Sequence, residues 1–437
     1  MSTIAPLMMG FAEVEFTPEP GLSLAGQMHT RRATHARDPL MACAVAFAQG
    51  DERVVLVSTD VCVLPEELVR ETQASFQDAT GVPGARLLLH ATHTHDAPAT
   101  TPLLGAEVSP GFLTRLRAGL VGAAKGALSR LEPVALSGGS LPMAEMGWNR
   151  RAMFEDGGSR MYGHSEQPGF AGMEGPRDPA LSVLCARSPE GTLRGVVLSF
   201  STHPNSIEAE CFYSADVPGE VRRQVRERLG PAVGAVYLTG PAGNTAPSIL
   251  DPHDSTQPWR GEAGLLRSGA YLAEGVASIV SAHLQPMPHP VLRLEQAALE
   301  VPIRPWPSSG DRCQPHPWDA ACEEVYRQAK ECWPERLSAE SPVSVRLNVL
   351  RVGDAAICAC PAELFVEYGL RIRELSPAKV NLLAELTDGY VGYVPTRLAF
   401  QRGGYETWPA PTSQLVPEAG DPIVETTTHL LRQAFAR

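Results

Sequence analysis

Short apolar runs alternate with longer helical patterns along most of this 437-residue sequence. Because side chains repeat every two residues in a strand and every 3.6 in a helix, the two kinds of pattern can be told apart. Their alternation predicts an α/β chain of mixed sheets flanked by helices. No change of composition marks a linker, so we expect a single large domain over residues 1–437.

The individual elements follow from the same patterns and from their start and stop signals. The predicted strands cover residues 11–17, 41–48, 54–58, 87–91, 181–186, 196–200, 235–238, 343–352, 355–360 and 380–386. The predicted helices cover residues 65–79, 111–131, 218–229, 262–283, 319–337, 363–375 and 423–435. Two stretches dense in Gly and Pro, 149–179 and 301–317, are interpreted as long loops over a functional site.

Composition excludes several classes of partner. A net charge of −12 argues against nucleic acid, because affinity for a phosphate backbone comes mainly from clustered Lys and Arg. The N-terminus lacks the features of a signal peptide, and no apolar run approaches the ~20 residues of a membrane span. Nine cysteines without a CxxC pair indicate buried free thiols in a reducing compartment. We therefore expect a cytoplasmic, soluble protein with a small-molecule ligand and no stable membrane insertion; the oligomeric state stays open.

One buried-strand pattern ends in a cluster of histidines. The run LLHATHTHD covers residues 88–96, and in a strand His93 and His95 point to the same face. Two imidazoles beside the carboxylate of Asp96 suit one metal ligand and one proton-handling neighbour. The alternative is a set of hydrogen-bonded histidines in a polar loop.

Two further candidates stand where apolar strands end. His203 closes the run VLSFSTHPN (197–205), and Glu363 follows the predicted strand 355–360 at the start of a predicted helix. Together with the first histidines they favour a metal site, although Glu363 could instead stabilise the helix dipole. The Thr-His pair that ends both histidine strands leaves open a repeat of two pseudo-equivalent halves.

Four dispersed motifs resemble those of the neutral, non-lysosomal ceramidases. ATHTHDAP (91–98) is similar to their ATHTHSGP signature, and FSTHPNS (200–206) to their second histidine segment. GDAAICACPAELFVEYGLRIR (353–373) resembles their Gly-Asp to Pro-x-Glu segment, and GYVGYVPT with GGYE (389–396 and 403–406) resembles their tyrosine loop. The matches keep their order along the chain. They imply the ceramidase catalytic-domain fold, without the C-terminal immunoglobulin-like domain of larger family members.

The resemblance implies a zinc ion held by His93, His203, Glu363 and Tyr393. It places His95 beside the zinc-bound water as the acid and base. Zinc can lower the pKa of water from ~15.7 to about 7 and polarise an amide carbonyl. An imidazole titrates near neutrality, so His95 is well suited to move the proton.

The resemblance also implies that Tyr405 stands near the developing oxyanion and Arg150 near a polar group of the substrate. Ceramidases carry a serine in a segment like AGNLSPN, where this chain has Ala246. Thr245 and Ser248 are close in sequence, but neighbouring residues of a strand or turn generally point in different directions. The nucleophile is therefore predicted to be zinc-activated water, and the substrate to be smaller or more polar than ceramide.

Three functions are compatible with such a site. The first is a zinc-dependent hydrolase that cleaves an N-acyl (amide) bond of a small or lipid-like substrate. The second is a zinc-dependent ester or lactone hydrolase, or an acyl transferase in a biosynthetic pathway. The third is a non-catalytic binding protein that retains the fold. The acyl chain and the amine are not set by the sequence.

Overall fold

The computed structural model describes residues 5–247, 259–288 and 290–436. The strands in this part are β1 (Met8–Glu15), β2 (Ser23–Leu24), β3 (Arg31–Arg32), β4 (Met41–Gln49), β5 (Glu52–Thr59), β6 (Leu87–Ala91), β7 (Glu132–Pro133), β8 (Ala135–Pro142), β9 (Trp148–Asn149), β10 (Arg151–Phe154), β11 (Ser159–Met161), β12 (Phe170–Met173), β13 (Ala180–Arg187), β14 (Leu193–Phe200), β15 (Gly234–Thr239), β16 (Thr245–Ala246), β17 (Gln285–Pro286), β18 (Leu292–Val301), β19 (Val343–Val352), β20 (Ala355–Ala359), β21 (Glu363–Leu364), β22 (Val380–Ala384) and β23 (Tyr393–Val394). The α-helices there are α1 (Glu66–Thr80), α2 (Pro110–Ser129), α3 (Asp216–Leu229), α4 (Gly261–Ser278), α5 (Ala320–Ala339), α6 (Val366–Leu375), α7 (Arg397–Arg402) and α8 (Gly420–Phe435).

Three sheets of the described residues share one strand order: β1-β4-β5-β6, β8-β13-β14-β15 and β18-β19-β20-β22. In each sheet the first three strands are antiparallel, and the fourth is parallel to the third. A parallel pair needs a crossover connection, and α1, α3 and α6 supply it. Each crossover helix packs against a second helix, α2, α4 or α8. The predicted mixed-sheet α/β class is confirmed, and it takes the form of a threefold structural repeat.

The three sheets bury their inner faces against one another. Phe47 of the first sheet, Leu238 of the second and Leu382 of the third belong to one central cluster of buried side chains. The outer face of each sheet packs with its own helix pair in a separate cluster. Strands covered on both faces need near-continuous apolar sequence, as in the fully buried β6 (LLLHA). This double burial is why the runs stood out in the sequence.

The carboxyl ends of these strands position the candidate site. The third strands end at Thr59, Phe200 and Ala359. Cys62 and His203 come three residues after the first two of these ends, and Glu363 comes four residues after the last. His93 instead follows the fourth strand of the first sheet. The two Thr-His pairs therefore occupy non-equivalent positions in their sheets. The repeat has three units rather than two halves.

Several expectations about local structure were wrong. Glu363 does not start a helix, because it lies in β21 and α6 begins at Val366. The stretch 149–179 is not a plain loop, since it carries the three-stranded sheet β11-β10-β12. All nine cysteines are free, but Cys211 and Cys332 are exposed rather than buried. Among the described residues, no helix is long and apolar enough to cross a membrane.

Candidate metal centre

Two histidines direct the same ring nitrogen at a common point. The Nε2 atoms of His93 and His203 lie 3.1 Å apart, and both side chains are buried. His93 Nδ1 lies 2.8 Å from the carbonyl oxygen of Cys62. His203 Nδ1 lies 3.3 Å from the carbonyl oxygen of Ala242. Because a carbonyl oxygen can accept but not donate, each Nδ1 carries the proton and each Nε2 presents a lone pair.

The backbone at His93 is unusual. His93 has a φ of 70°, in the left-handed region that few residues other than glycine adopt. β6 has already ended at Ala91, so His93 and His95 do not share a strand face as predicted. Their rings converge nevertheless, with the Nε2 atoms 3.5 Å apart. Backbone strain of this kind is concentrated at functional sites, where the surrounding structure maintains it.

A buried carboxylate faces both imidazoles. Glu363 Oε2 lies 3.4 Å from His93 Nε2 and accepts no hydrogen bond from the part of the chain that the structure describes. Glu363 Oε1 accepts a hydrogen bond of 2.7 Å from the hydroxyl of Tyr390. Burial raises the pKa of Glu363, but the adjacent imidazole of His93 and the hydrogen bonds from neighbouring side chains, Tyr390 among them, outweigh burial and lower this pKa. The carboxylate is therefore ionised at neutral pH.

The Nδ1 atom of His95 has a carboxylate partner, in contrast to the carbonyl partners of His93 and His203. Its Nδ1 lies 2.9 Å from Oε2 of Glu208. The other oxygen of this carboxylate, Oε1, accepts a hydrogen bond of 3.0 Å from Arg260. Burial raises the pKa of Glu208, but the hydrogen bond to His95 and the charge of Arg260 hold this pKa at about 2. Burial lowers the pKa of His95 and outweighs the opposing effect of Glu208. His95 therefore presents an unprotonated Nε2 toward the other histidines, and Asp96 does not contact it, because Asp96 pairs with Arg31 at 3.0 Å.

Tyr393 lies beside the carboxylate, in β23, paired in register with Glu363 of β21. Its hydroxyl accepts a hydrogen bond of 3.1 Å from Nη2 of Arg150. The Arg150 guanidinium also binds Glu406 Oε1 and the carbonyl oxygen of Gly243, both at 3.0 Å. Burial raises the pKa of Tyr393, and the negative charge of Glu363 adds to this effect. In this structure Arg150 positions Tyr393, and its contact with a substrate stays a prediction.

One pocket of about 230 Å³ collects these groups. Its lining includes all seven residues singled out from the sequence: His93, His95, Arg150, His203, Glu363, Tyr393 and Tyr405. Neither Ala246 nor Thr245 is part of the lining, and both are buried in β16. Ser248 lies outside the described residues. Among the described residues of this segment, no hydroxyl replaces the missing family serine in the pocket.

The donor set fits a zinc ion. The ligand atoms of His93, His203 and Glu363 lie within 4.8 Å of one another. Two nitrogen lone pairs and a carboxylate oxygen without a partner repel each other, and a shared cation would satisfy all three. Zinc commonly takes imidazole and carboxylate ligands, and catalytic sites leave one position open. Tyr393 pairs with Glu363 and lines the same pocket, and its role as a fourth ligand stays a prediction.

The comparisons with known proteins concern the fold that positions these groups. No protein-family model matches the chain. An alignment over 263 residues, which covers 56% of this chain, is 24% identical to the neutral ceramidase of Pseudomonas aeruginosa and covers 37% of the length of that protein. The crystal structure of neutral ceramidase from Pseudomonas aeruginosa superposes with a TM-score of 0.75 at 19% identity, over 98% of this chain and 74% of that chain.

The chain has the fold of the neutral ceramidases. A second solved structure, a ceramidase complexed with C2, also gives a TM-score of 0.75, at 18% identity, over 98% of this chain and 75% of the other. The resemblance drawn from four short motifs is thus confirmed. At this level of identity the neutral ceramidase fold is established, whereas activity and substrate belong to the proposal below.

Three neighbours of the site were not predicted from the sequence. Cys62 lies with its Sγ 3.6 Å from His93 Nδ1, Glu208 holds His95, and Tyr390 holds Glu363. Glu208 is five residues after His203, and Tyr390 precedes Tyr393 in the same short motif. Proximity in sequence to a candidate ligand was the available signal for these two. Cys62 has no such signal, because its place follows from the threefold repeat.

Proposed function

We propose that this chain is a zinc-dependent amidohydrolase that cleaves the N-acyl bond of a small substrate. The convergence of two Nε2 lone pairs on a carboxylate oxygen that accepts no hydrogen bond from the described residues carries the proposal. Similarity to neutral ceramidases supports amide cleavage as the chemistry. His93, His203, Glu363 and Tyr393 would hold the metal. When bound, zinc supplies an activated water and polarises the amide carbonyl.

The remaining groups handle protons and charge. His95, held through Nδ1 by Glu208, accepts the proton of the attacking water at Nε2 and returns it to the departing amine nitrogen. Tyr405 lines the same pocket, and its hydroxyl donates a hydrogen bond to the oxyanion. Burial raises the pKa of Tyr405, which keeps that proton on the hydroxyl. Arg150 fixes Tyr393 so that the metal site does not relax between turnovers.

The size of the pocket argues for a small substrate. Pockets for drug-sized ligands enclose roughly 300–1,000 Å³, and this one encloses about 230 Å³. A two-chain lipid such as ceramide would leave most of its surface outside. We therefore expect soluble N-acyl amides to be cleaved faster than long-chain ceramide in detergent. The reverse order of rates would contradict the assignment of the substrate but not of the chemistry.

Elemental analysis with an amide-hydrolysis screen tests the proposal. The purified chain should contain one zinc per molecule and release amine from short N-acyl amines, and chelation should abolish this release. Esters and lactones of matched acyl groups serve as the control for the alternative chemistry. A chain that contains no metal and cleaves none of these compounds would instead be a binding protein with the neutral ceramidase fold.

A further inference from the structure

Part of the pocket lining beside the metal centre is aromatic. The ring centroids of Trp318 and Tyr405 lie 6.0 Å apart, and Trp408 packs against both, at 6.0 and 6.1 Å. Trp318 is 57% exposed, more than any other large apolar side chain in the described ranges. It is nevertheless part of the pocket lining, together with Leu103. A flat, exposed ring backed by other rings offers a rigid apolar surface to a ligand.

The pocket also contains a buried polar group without a partner. Asn205 lines the pocket and is 1% exposed. Its Nδ2 donates to the hydroxyl of Tyr162 at 2.7 Å and to Oε1 of Glu208 at 3.2 Å. Since a carboxylate accepts and does not donate, this pairing fixes the orientation of the amide. Oδ1 is left without a hydrogen bond from any residue in the described part, and a ligand donor would remove that cost.

These two parts of the lining adjoin residues with different roles in the proposed reaction. Glu208 binds both Asn205 and His95, the residue assigned to protonate the departing amine. The ring of Tyr405 lies beside that of Trp318, and Tyr405 is assigned to the carbonyl oxygen. The amine part of the substrate therefore belongs near Asn205, and the acyl part near Trp318.

We propose, on the basis of the proposed amide hydrolysis, that the substrate is a small amide with an apolar acyl part and a polar amine part. Its acyl part is a flat aromatic or short apolar group that packs on Trp318. Its amine part bears a hydroxyl or N–H donor that binds Oδ1 of Asn205. Trp318 and Asn205 are then the residues that determine specificity, and neither takes part in the bond-breaking step.

Binding of uncleavable analogues tests this inference separately from turnover. N-(2-hydroxyethyl)benzenesulfonamide and N-(2-hydroxyethyl)methanesulfonamide differ in the group that replaces the acyl part. By calorimetric titration of the zinc-loaded chain, the benzene compound should bind about tenfold more tightly. Trp318→Ala should lose this preference. Leu398→Ala, a change at another exposed apolar residue outside the pocket lining, should keep it.

The amine side is tested with N-ethylbenzenesulfonamide, which lacks the hydroxyl. The wild-type chain should bind it about tenfold more weakly than the hydroxyethyl compound, and Asn205→Ala should bind the two equally. Equal binding of the ethyl and hydroxyethyl compounds by wild type, or an aromatic preference that survives Trp318→Ala, would overturn the inference. Because sulfonamides are not cleaved, both preferences can be observed even if the chain hydrolyses no amide, which would refute the proposed function alone.

Discussion

His93, His95 and His203 present the same nitrogen to the centre but are held by different partners. Backbone carbonyls bind Nδ1 of His93 and His203, whereas the carboxylate of Glu208 binds Nδ1 of His95. A carboxylate partner raises the basicity of an imidazole more than a carbonyl does. This difference supports the assignment of His95 to proton transfer, although its Nε2 lies 3.5 Å from Nε2 of His93, a proposed metal ligand.

The metal content of single-residue variants distinguishes a metal ligand from the general base. We expect His203→Ala and Glu363→Ala to lose most of the bound zinc, because each removes one of three converging donor atoms. His95→Ala should keep the zinc and lose turnover by about a hundredfold or more. Zinc per chain, measured by elemental analysis after dialysis, gives the answer. Loss of the metal from His95→Ala would mean that His95 is itself a ligand.

The proposed nucleophile predicts a contrast between two other residues. Tyr405→Phe removes the oxyanion donor and should lower kcat by about a hundred- to a thousandfold. Thr245→Ala should stay within about tenfold of the parent, because Thr245 is not part of the pocket lining. Steady-state rates on one soluble amide compare the two variants. Detection of an acyl group covalently attached to a serine or threonine, by mass spectrometry after rapid quench, would refute attack by water.

At the scale of elements, His90 of β6 links the three sheets. Its Nε2 accepts a hydrogen bond of 3.0 Å from the N–H of Thr239 at the end of β15. Its Nδ1 lies 3.2 Å from the hydroxyl of Thr387, just beyond β22. The Thr387 hydroxyl donates to the carbonyl oxygen of Ala384, so its oxygen accepts the His90 Nδ1–H. Burial lowers the pKa of His90 to about 3, and the side chain is neutral in the folded protein.

This neutral histidine predicts a loss of stability in acid. His90 takes up a proton near pH 6.5 when unfolded but near pH 3 when folded, so stability falls as the pH drops through that window. His90→Gln can keep both hydrogen bonds but does not titrate. The free energy of unfolding of wild type relative to the variant should therefore fall by about 1.4 kcal/mol per pH unit below pH 6.5. Urea unfolding of both proteins at pH 6.5, 5.5 and 4.5 measures this difference. If the free energies of unfolding of the two proteins changed in parallel with pH, His90 would not be the neutral, buried group described here.

The elements predicted best had a clear strand pattern. Leu87–Ala91, an apolar run buried throughout, and Val343–Val352, in which apolar and polar residues alternate, match their predicted bounds, because each pattern is typical of a strand. β8 (ALSGGSLP) was missed, since Gly and Ser obscure its alternation. β18 (LRLEQAALEV) was missed because Leu, Glu, Gln and Ala also favour helices. The candidate ligands were found by motif, but partners such as Glu208 depend on contacts between distant segments.

At the scale of the whole molecule, the metal would bind all three sheets together. His93 follows the first sheet, His203 the second, and Glu363 the third. We propose that the chain behaves as one domain, as expected from its uniform composition. Its thermal unfolding should then show one transition, and chelation should lower the midpoint temperature of that single transition. A ligand present at a hundred times its Kd stabilises the folded state by about 2.7 kcal/mol.

Differential scanning calorimetry with and without a chelator measures this shift, and His203→Ala, already deprived of metal, should not respond to the chelator. Two transitions, of which chelation moves one, would contradict a single domain. A shift of equal size in His203→Ala would show that the chelator acts elsewhere.

The threefold arrangement distinguishes segments whose sequence can change from strand ends whose positions must be kept. Each unit supplies an inner set of strand ends, while segments inserted within the units, such as 149–179 between β8 and β13 and 302–319 after β18, lie outside the repeated elements. Exchanges within 302–319, which contains Trp318 of the pocket lining, would alter a wall of the pocket without moving the strand ends that lead to the proposed metal ligands, whereas 149–179 contains Arg150, which positions Tyr393. A chain built this way can acquire new substrates by replacing surface segments and keep its reaction unchanged. Transplanting residues 302–319 between two proteins of this fold is therefore a direct route to altered substrate preference.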